Sequence, residues 1–242
     1  MKKIKLFALS IGVAIAACVF NSCDDDGYSL GDRWYSIATV NPLDSTSRSF
    51  YLTLDNGTTL WPAASHAHWY KPHENQRAIV VYTILSDEME GYDHFVQIHD
   101  IRDVLTKPFA EDLGEGNDEK YGTDPAKILD MWIGDGYLNV EFGFNYGGAA
   151  VHFINLMKND DAETPYSFEF RHNAYNDSQH YGRRGYVAFD LSELDTNGES
   201  VTLNIKVKTF EGEKVYTIEY DPSSKNQSNR QKSVSEDWVD VK

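Results

Sequence analysis

The stretch Phe50-Tyr51-Leu52-Thr53-Leu54-Asp55-Asn56-Gly57-Thr58-Thr59-Leu60-Trp61 predicts how the first half of the chain folds. Apolar residues alternate with Tyr51 and Thr53, which is the period of a β-strand that buries at least one face. The pair Asn56-Gly57 follows, and both residue types tolerate the positive φ angles of a type I′ turn. The stretch therefore predicts a β-hairpin, which ends at Pro62.

Further strands are predicted on both sides of this hairpin, at 34–40, 78–85 and 94–99. The run 78–85 is almost continuously apolar and β-branched, which is typical of a strand that is buried on both faces. About five short strands without a helix indicate a small closed barrel of the OB type. We place this domain at residues 32–109.

Residues 110–124 are rich in Glu, Asp, Gly and Asn and predict a linker. Beyond it, residues 125–222 contain about seven predicted strands, with a second hairpin signal at Gly134-Asp135-Gly136. This spacing favours a β-sandwich of the immunoglobulin-like kind, so the predicted fold class is all-β. Residues 223–242 are polar and charged around an isolated Trp238, and predict a mobile tail.

The first 22 residues have the pattern of a signal peptide. Lys2, Lys3 and Lys5 precede an apolar run over residues 6–20. This run is shorter than the roughly 18 residues that indicate a membrane-spanning helix.

The small and polar residues before Cys23 resemble the lipobox of bacterial lipoproteins, although Phe20 replaces the usual leucine. The resemblance implies cleavage before Cys23 and acylation of that residue, and two or more acyl chains are what stable anchoring needs. The acidic segment that follows, residues 23–31, is a predicted tether to the outer membrane. Whether the folded part faces the cell exterior or the periplasm stays open. The alternative is ordinary cleavage near Cys18 or Ser22 followed by secretion.

Composition narrows the possible partners. The chain has 22 basic and 38 acidic residues, and removal of residues 1–22 leaves a net charge of −19. Nucleic acid and anionic lipid surfaces would be repelled, so we expect no nucleic-acid partner. Only Cys23 would remain of the two cysteines, so the mature chain can form neither an internal disulfide nor a cysteine-based zinc site.

Three stretches together resemble the NigD-like proteins, a family of lipoproteins from Bacteroides-like bacteria. They are residues 31–40, the run 76–85 with its continuation at 94–101, and residues 132–140. The resemblance implies an OB-like domain followed by a β-sandwich, and an immunity or accessory role connected with bacteriocins. It supplies no catalytic or ligand-binding residues.

Candidate chemistry is sparse. His66, His68 and His73 lie on one predicted loop, but no carboxylate or thiolate follows at a matching spacing, so we expect no metal site. Ser65-His66 lacks the Gly-x-Ser-x-Gly turn that exposes a nucleophile. The glycine-rich run 143–148 is not followed by Lys and Ser or Thr, so it is not a phosphate-binding loop. We therefore predict a non-catalytic protein without a cofactor.

The aromatic residues Trp61, Trp69, Tyr70 and Tyr92 lie near predicted loops and strand ends. They could form a platform for sugars, since OB folds bind oligosaccharides as well as oligonucleotides, or they could simply cover the rim of the barrel. The leading hypothesis is a lipid-anchored protein that binds a protein or another envelope component. The alternative is a glycan-binding module that serves the handling of surface polysaccharides.

Overall fold

The computed structural model describes residues 29–44, 48–89, 91–159, 164–177, 180–224 and 238–242. The predicted signal peptide and the lipidation residue Cys23 lie outside the described residues. Among the described residues, no helix has the length and apolar character needed to cross a membrane.

The N-terminal domain is a closed five-stranded barrel, as predicted. Its strands are β1 (Trp34–Pro42), β2 (Phe50–Leu54), β3 (Thr59–Ser65), β4 (Gln76–Ser86) and β5 (His94–Asp103). They are arranged in the order β1-β2-β3-β5-β4, with β3 and β5 parallel and the other neighbouring pairs antiparallel. The expectation that the run 78–85 is buried on both faces is confirmed for residues 78–84, of which Val81 is half-buried, whereas Leu85 is 40% exposed.

The turn of the first hairpin differs from the predicted type. The hairpin itself is confirmed, but Leu54 and Thr58 flank a three-residue loop, and the Leu54 N–H donates to the Thr58 carbonyl at 2.9 Å. In this loop Gly57 adopts a positive φ of 87°, whereas Asn56 does not. Three-residue hairpin loops use such a glycine after a type I turn. The type I′ geometry occurs instead at Asp135-Gly136, where both φ angles are positive.

The C-terminal domain is a sandwich of two four-stranded sheets. Its strands are β6 (Leu105–Lys107), β7 (Lys127–Gly134), β8 (Tyr137–Tyr146), β9 (Phe153–Asn159), β10 (Ser167–Asn173), β11 (Tyr181–Asp190), β12 (Val201–Thr209) and β13 (Gly212–Tyr220). One sheet has the order β13-β12-β10-β9 and the other the order β6-β11-β8-β7. Inward-facing apolar residues of both sheets form one core, including Phe142, Phe168 and Phe189.

The domain boundary lies closer to the N-terminus than predicted. Strand β6 was expected within the barrel domain, but it pairs in parallel with β11 of the sandwich. The predicted linker 110–124 also belongs to the sandwich: it contains a 3₁₀ turn at Gly114–Gly116 and a short helix α1 (Asn117–Tyr121). Tyr121 of this helix is buried and stacks on Phe153 of β9, so the acidic segment packs against the sandwich rather than linking two domains.

A buried ion pair of the barrel is hydrogen-bonded to the sandwich domain. Arg77 of β4 pairs with Asp55 of the first hairpin loop, and both side chains are almost inaccessible to solvent. Asp55 also accepts a hydrogen bond of 2.6 Å from Nε1 of Trp132, which lies in the sandwich. Arg77 donates a second hydrogen bond, of 2.7 Å, to Thr39. The three-residue loop thus places the Asp55 carboxylate in contact with Arg77 of the barrel and Trp132 of the sandwich.

The last residues of the chain are not a free tail. Trp238 is 7% exposed and packs in an apolar cluster with Ile37 and Ile79 of the barrel and Tyr186 of the sandwich. The Lys242 N–H donates to the His152 carbonyl at 2.8 Å, and Ile154 donates back to Lys242 at 2.7 Å. The predicted mobile tail is therefore wrong for residues 238–242, which we call the C-terminal strap; residues 225–237 lie outside the described residues.

Candidate binding surfaces

The structure brings two of the four predicted aromatic residues together. Trp61 and Tyr92 have ring centroids 4.9 Å apart, and Tyr51 and Phe95 extend the group at 5.5 Å from Tyr92 and 6.5 Å from Trp61. The parallel pairing of β3 with β5 sets Trp61 opposite Phe95. We call these four residues the barrel aromatic cluster. Phe95 is buried and the other three residues are half-buried, so part of the aromatic surface faces solvent.

Tyr70 belongs to the interior rather than to this surface. It is 6% exposed and packs against Phe50 with ring centroids 5.7 Å apart. Its hydroxyl donates a hydrogen bond of 2.7 Å to Asp103. Burial, together with that hydrogen bond and the charge of Asp103, raises the pKa of Tyr70 well above its usual value. Little of Tyr70 is left to contact a ligand.

Trp69 points to a different place from Trp61. It is 61% exposed and meets the buried Tyr70 edge to face, with centroids 6.0 Å apart. It lines a groove of about 470 Å³ that also includes Arg102, Asp103, Thr106, Trp238 and Asp240. These residues come from the barrel, from the start of the sandwich and from the C-terminal strap. We call it the seam groove.

The loop histidines do not converge. The Nε2 atom of His66 accepts a hydrogen bond of 2.9 Å from Gln97, and its ring meets His99 edge to face at 5.6 Å. His68 and His73 are exposed. In the part of the chain that the structure describes, no group of three or more His, Cys, Asp or Glu residues is arranged to hold a metal ion.

A buried chain of polar groups in the sandwich was not predicted. Nε2 of His152 lies 3.2 Å from Asp177, and its Nδ1 lies 2.9 Å from Nε2 of His172. Nδ1 of His172 lies 3.1 Å from the Pro125 carbonyl. Burial opposes ionisation of Asp177, but backbone N–H groups of residues 147–149 and the bond from His152 outweigh it and hold its pKa well below the usual value.

The hydrogen bonds of this buried unit limit the number of protons that its two histidines carry. Its three hydrogen bonds need three protons, because the carbonyl and the ionised Asp177 can only accept. Two neutral imidazoles supply two protons, so all three hydrogen bonds form together only when the pair of histidines holds one further proton. Burial and the neighbouring His152 lower the pKa of His172 to about 4, although the hydrogen bond to the Pro125 carbonyl opposes this.

This arrangement resembles part of a catalytic triad, but it cannot act as one. Both ring nitrogens of His152 are engaged, by Asp177 and by His172, so neither can accept a proton from a serine or threonine hydroxyl. Both rings are also buried. The unit fixes the loop after β8 to the segment after β10.

Two arginines on the outside of the sandwich are paired with carboxylates. Arg171 lines a pocket of about 510 Å³ and contacts Asp118 at 2.7 Å and Glu169 at 2.6 Å. Arg184 pairs with Glu141. These guanidinium groups therefore already have carboxylate partners.

Sequence reasoning missed the residues that the chain brings to the seam groove from far apart. Arg102 lies near the end of β5, whereas Trp238 and Asp240 lie more than a hundred residues later in the C-terminal strap. An isolated tryptophan in a polar segment was the available signal, because tryptophan side chains are highly buried on average.

Comparison with known proteins agrees with this architecture. The family model described as the NigD-like N-terminal OB domain matches residues 37–104, and the NigD-like C-terminal beta sandwich domain matches residues 108–220. No curated protein matches the chain significantly.

Solved structures give the same picture. A protein of Parabacteroides distasonis, provisionally described as toxin-related, is 46% identical with a TM-score of 0.73, over 82% of this chain and 98% of its own. A Bacteroides vulgatus protein of unknown function is 25% identical with a TM-score of 0.66, over 81% and 94%. A NigD-like immunity protein of Bacteroides caccae is 22% identical with a TM-score of 0.60, over 81% and 100%. The matches to both domain models, in the order in which the two domains fold, establish that this chain belongs to the NigD-like family.

Proposed function

We propose that this chain is a lipoprotein of the outer membrane that is anchored through Cys23 and acts by binding a protein, without catalysis. The sequence before Cys23 supports the anchor, and the acidic tether after it supports a folded unit held away from the membrane. A relative that is 46% identical and provisionally described as toxin-related supports an immunity or accessory role.

The observation that carries the binding role is the barrel aromatic cluster. Tryptophan and tyrosine are the residues that dominate the energy of protein interfaces, because they bury large rigid surfaces at a small entropic cost. Here Trp61, Tyr92 and Tyr51 support one another at ring separations of 4.9–5.5 Å. A partner would meet a preorganised aromatic surface on a closed barrel, which lowers the ordering cost of association.

The anchor is tested by comparing the wild type with Cys23→Ala. We expect the wild type to partition into detergent and to carry acyl groups on residue 23 by mass spectrometry, whereas the variant stays in the aqueous phase. An unmodified thiol at Cys23, or a Cys23→Ala protein that still fractionates with membranes, would contradict the proposal.

The binding surface is tested by replacing Trp61 with a photo-crosslinking amino acid in the source bacterium. Val215 is a matched control because it is 62% exposed on β13 of the other domain. We expect a defined protein adduct from position 61 and none from position 215. No protein adduct at 61, or the same adducts at both positions, would refute the assignment.

The immunity role has its own test. A strain lacking this gene should be killed more readily by bacteriocin-producing relatives, and resistance should return with the wild-type chain but not with Cys23→Ala or Trp61→Ala. Equal survival of the deletion strain and its parent would rule out immunity while leaving the binding surface to the crosslinking result.

A second function, binding of glycans, is favoured by a separate observation. Trp69 exposes most of its indole beside the seam groove rather than within the barrel aromatic cluster.

A further inference from the structure

We propose that the seam groove is a second binding site, which holds an uncharged oligosaccharide with one sugar ring stacked on Trp69. The site is separate from the barrel aromatic cluster and does not depend on a protein partner there. Ligand sites commonly form where two domains meet, and the groove of about 470 Å³ falls in the usual size range of roughly 300–1,000 Å³.

Trp69 is held as a fixed platform. Its neighbour Tyr70 is anchored in the barrel, both by its ring and by a backbone hydrogen bond of 3.0 Å to the Ala67 carbonyl. On the other side, Arg48 donates a hydrogen bond of 3.0 Å to the His68 carbonyl. The backbone is thus fixed before and after Trp69 while the indole stays exposed, so a ligand that stacks on it would not have to order the loop.

Polar groups suited to hydroxyls line the same groove. The Arg102 guanidinium lies over the Trp238 ring at 4.4 Å and 3.4 Å from an Asp240 carboxylate oxygen. Both Arg102 and Asp240 keep exposed side-chain surface. The Tyr70 hydroxyl orients the carboxylate of Asp103. A sugar hydroxyl both donates and accepts, so adjacent guanidinium and carboxylate groups can bind neighbouring hydroxyls of one ring.

Charge decides the class of sugar. Among the groove residues named here, Asp103 and Asp240 outnumber Arg102, whose charge Asp240 already offsets. The mature chain as a whole would carry −19. Uronic acids, sulfated sugars and phosphorylated sugars would be repelled, whereas neutral hexoses and N-acetylated hexosamines would not. An apolar sugar face against Trp69, with hydroxyls towards Arg102 and Asp240, matches what the groove offers.

The C-terminal strap completes the site. The ring of Trp238 packs against the Arg102 guanidinium, and Asp240 comes from the same five-residue segment. Without the strap, Arg102 would lose its aromatic support and its carboxylate neighbour. The groove therefore exists because the chain end returns to the boundary between its two domains.

The test is calorimetric titration of the full lipidated chain, in a detergent without a sugar headgroup, with cello-, laminari-, manno-, xylo- and chitohexaose. We expect at least one of these to bind, Trp69→Ala to weaken it by about tenfold or more, and Trp69→Phe to weaken it less. Trp69 is exposed, so its replacement leaves the fold intact. Asp240→Ala should weaken binding several-fold.

The matched control is Trp61→Ala, which removes a tryptophan of the barrel aromatic cluster and should leave sugar binding unchanged. Absence of binding to all five hexasaccharides at millimolar concentration would overturn the proposal, as would binding that survives Trp69→Ala or is lost in Trp61→Ala. Because the crosslinking experiment probes position 61, its failure and the failure of the seam groove are distinguishable.

Discussion

Removing the carboxylate of Asp55 should destabilise the protein more than almost any other single change. The side chain is buried and receives hydrogen bonds from Arg77 and from Nε1 of Trp132. In Asp55→Ala the guanidinium would stay buried with Thr39 at 2.7 Å and Asn139 at 3.4 Å as its remaining partners. Breaking a buried pair on one side costs about 3–5 kcal/mol, and the orphaned indole N–H adds to this. We expect a loss of about 4 kcal/mol, a large part of the ~5–15 kcal/mol stability of an ordinary domain.

Urea unfolding of the purified protein, followed by tryptophan fluorescence and by circular dichroism, measures the loss. Asp87→Ala is the matched control, because Asp87 is exposed and lies 4.0 Å from His94, so its cost should stay below about 0.5 kcal/mol. The double variant Asp55→Ala/Arg77→Met should be more stable than Asp55→Ala alone, since no buried charge is then left unpaired. A loss below about 1 kcal/mol, or a double variant less stable than the single one, would refute the reasoning.

Three further outcomes follow from other contacts. Gly134→Ala should be strongly destabilising, because a Cβ there would overlap the side chain of Asp55. The cost should shrink only in part in an Asp55→Ala background, because the carboxylate is gone but the Cβ of residue 55 stays 2.5 Å away; a double-mutant cycle in urea would show or exclude this. Trp238→Ala should cost about 3–5 kcal/mol and expose the C-terminal strap to carboxypeptidase; unchanged resistance to digestion would contradict this. For His172, the folded pKa of about 4 lies below the ordinary 6.5. The unfolded chain therefore binds more protons between these values, so stability falls as the pH falls through this range, and His172→Gln should flatten that dependence in urea midpoints measured from pH 7 to 4.

The first hairpin shows which part of a fold is readable from local sequence. Alternation from Phe50 to Leu54 and the Asn56-Gly57 pair predicted two antiparallel strands correctly, because both signals act within a few residues. The turn type was predicted wrongly. Asp55 faces Arg77, 22 residues away, and the longer loop lets it do so. No local pattern contains that contact.

The candidate surfaces depend on contacts of this non-local kind. Trp61 meets Tyr92 because β3 pairs in parallel with β5, which follows β4 in the chain, and Tyr70 is buried by Phe50 and hydrogen-bonded to Asp103, which approach it from elsewhere in the barrel. The C-terminal strap was misjudged because its polar composition outweighed one tryptophan. Trp238 is buried by residues of both domains, so its partners become adjacent only after each domain has folded.

The stretches in which the resemblance was seen and the candidate binding residues are different parts of this chain. The stretches that carry the resemblance, 31–40, 76–85 with 94–101, and 132–140, include Arg77, Trp132 and Gly134, which build the joint between the domains. None of these stretches contains Trp61, Trp69 or Tyr92. These three stretches therefore identify how the barrel and the sandwich are joined, and they do not include the aromatic residues exposed on the barrel. Two proteins with the same joint can present different surfaces, so the partner of each has to be argued from its own exposed residues.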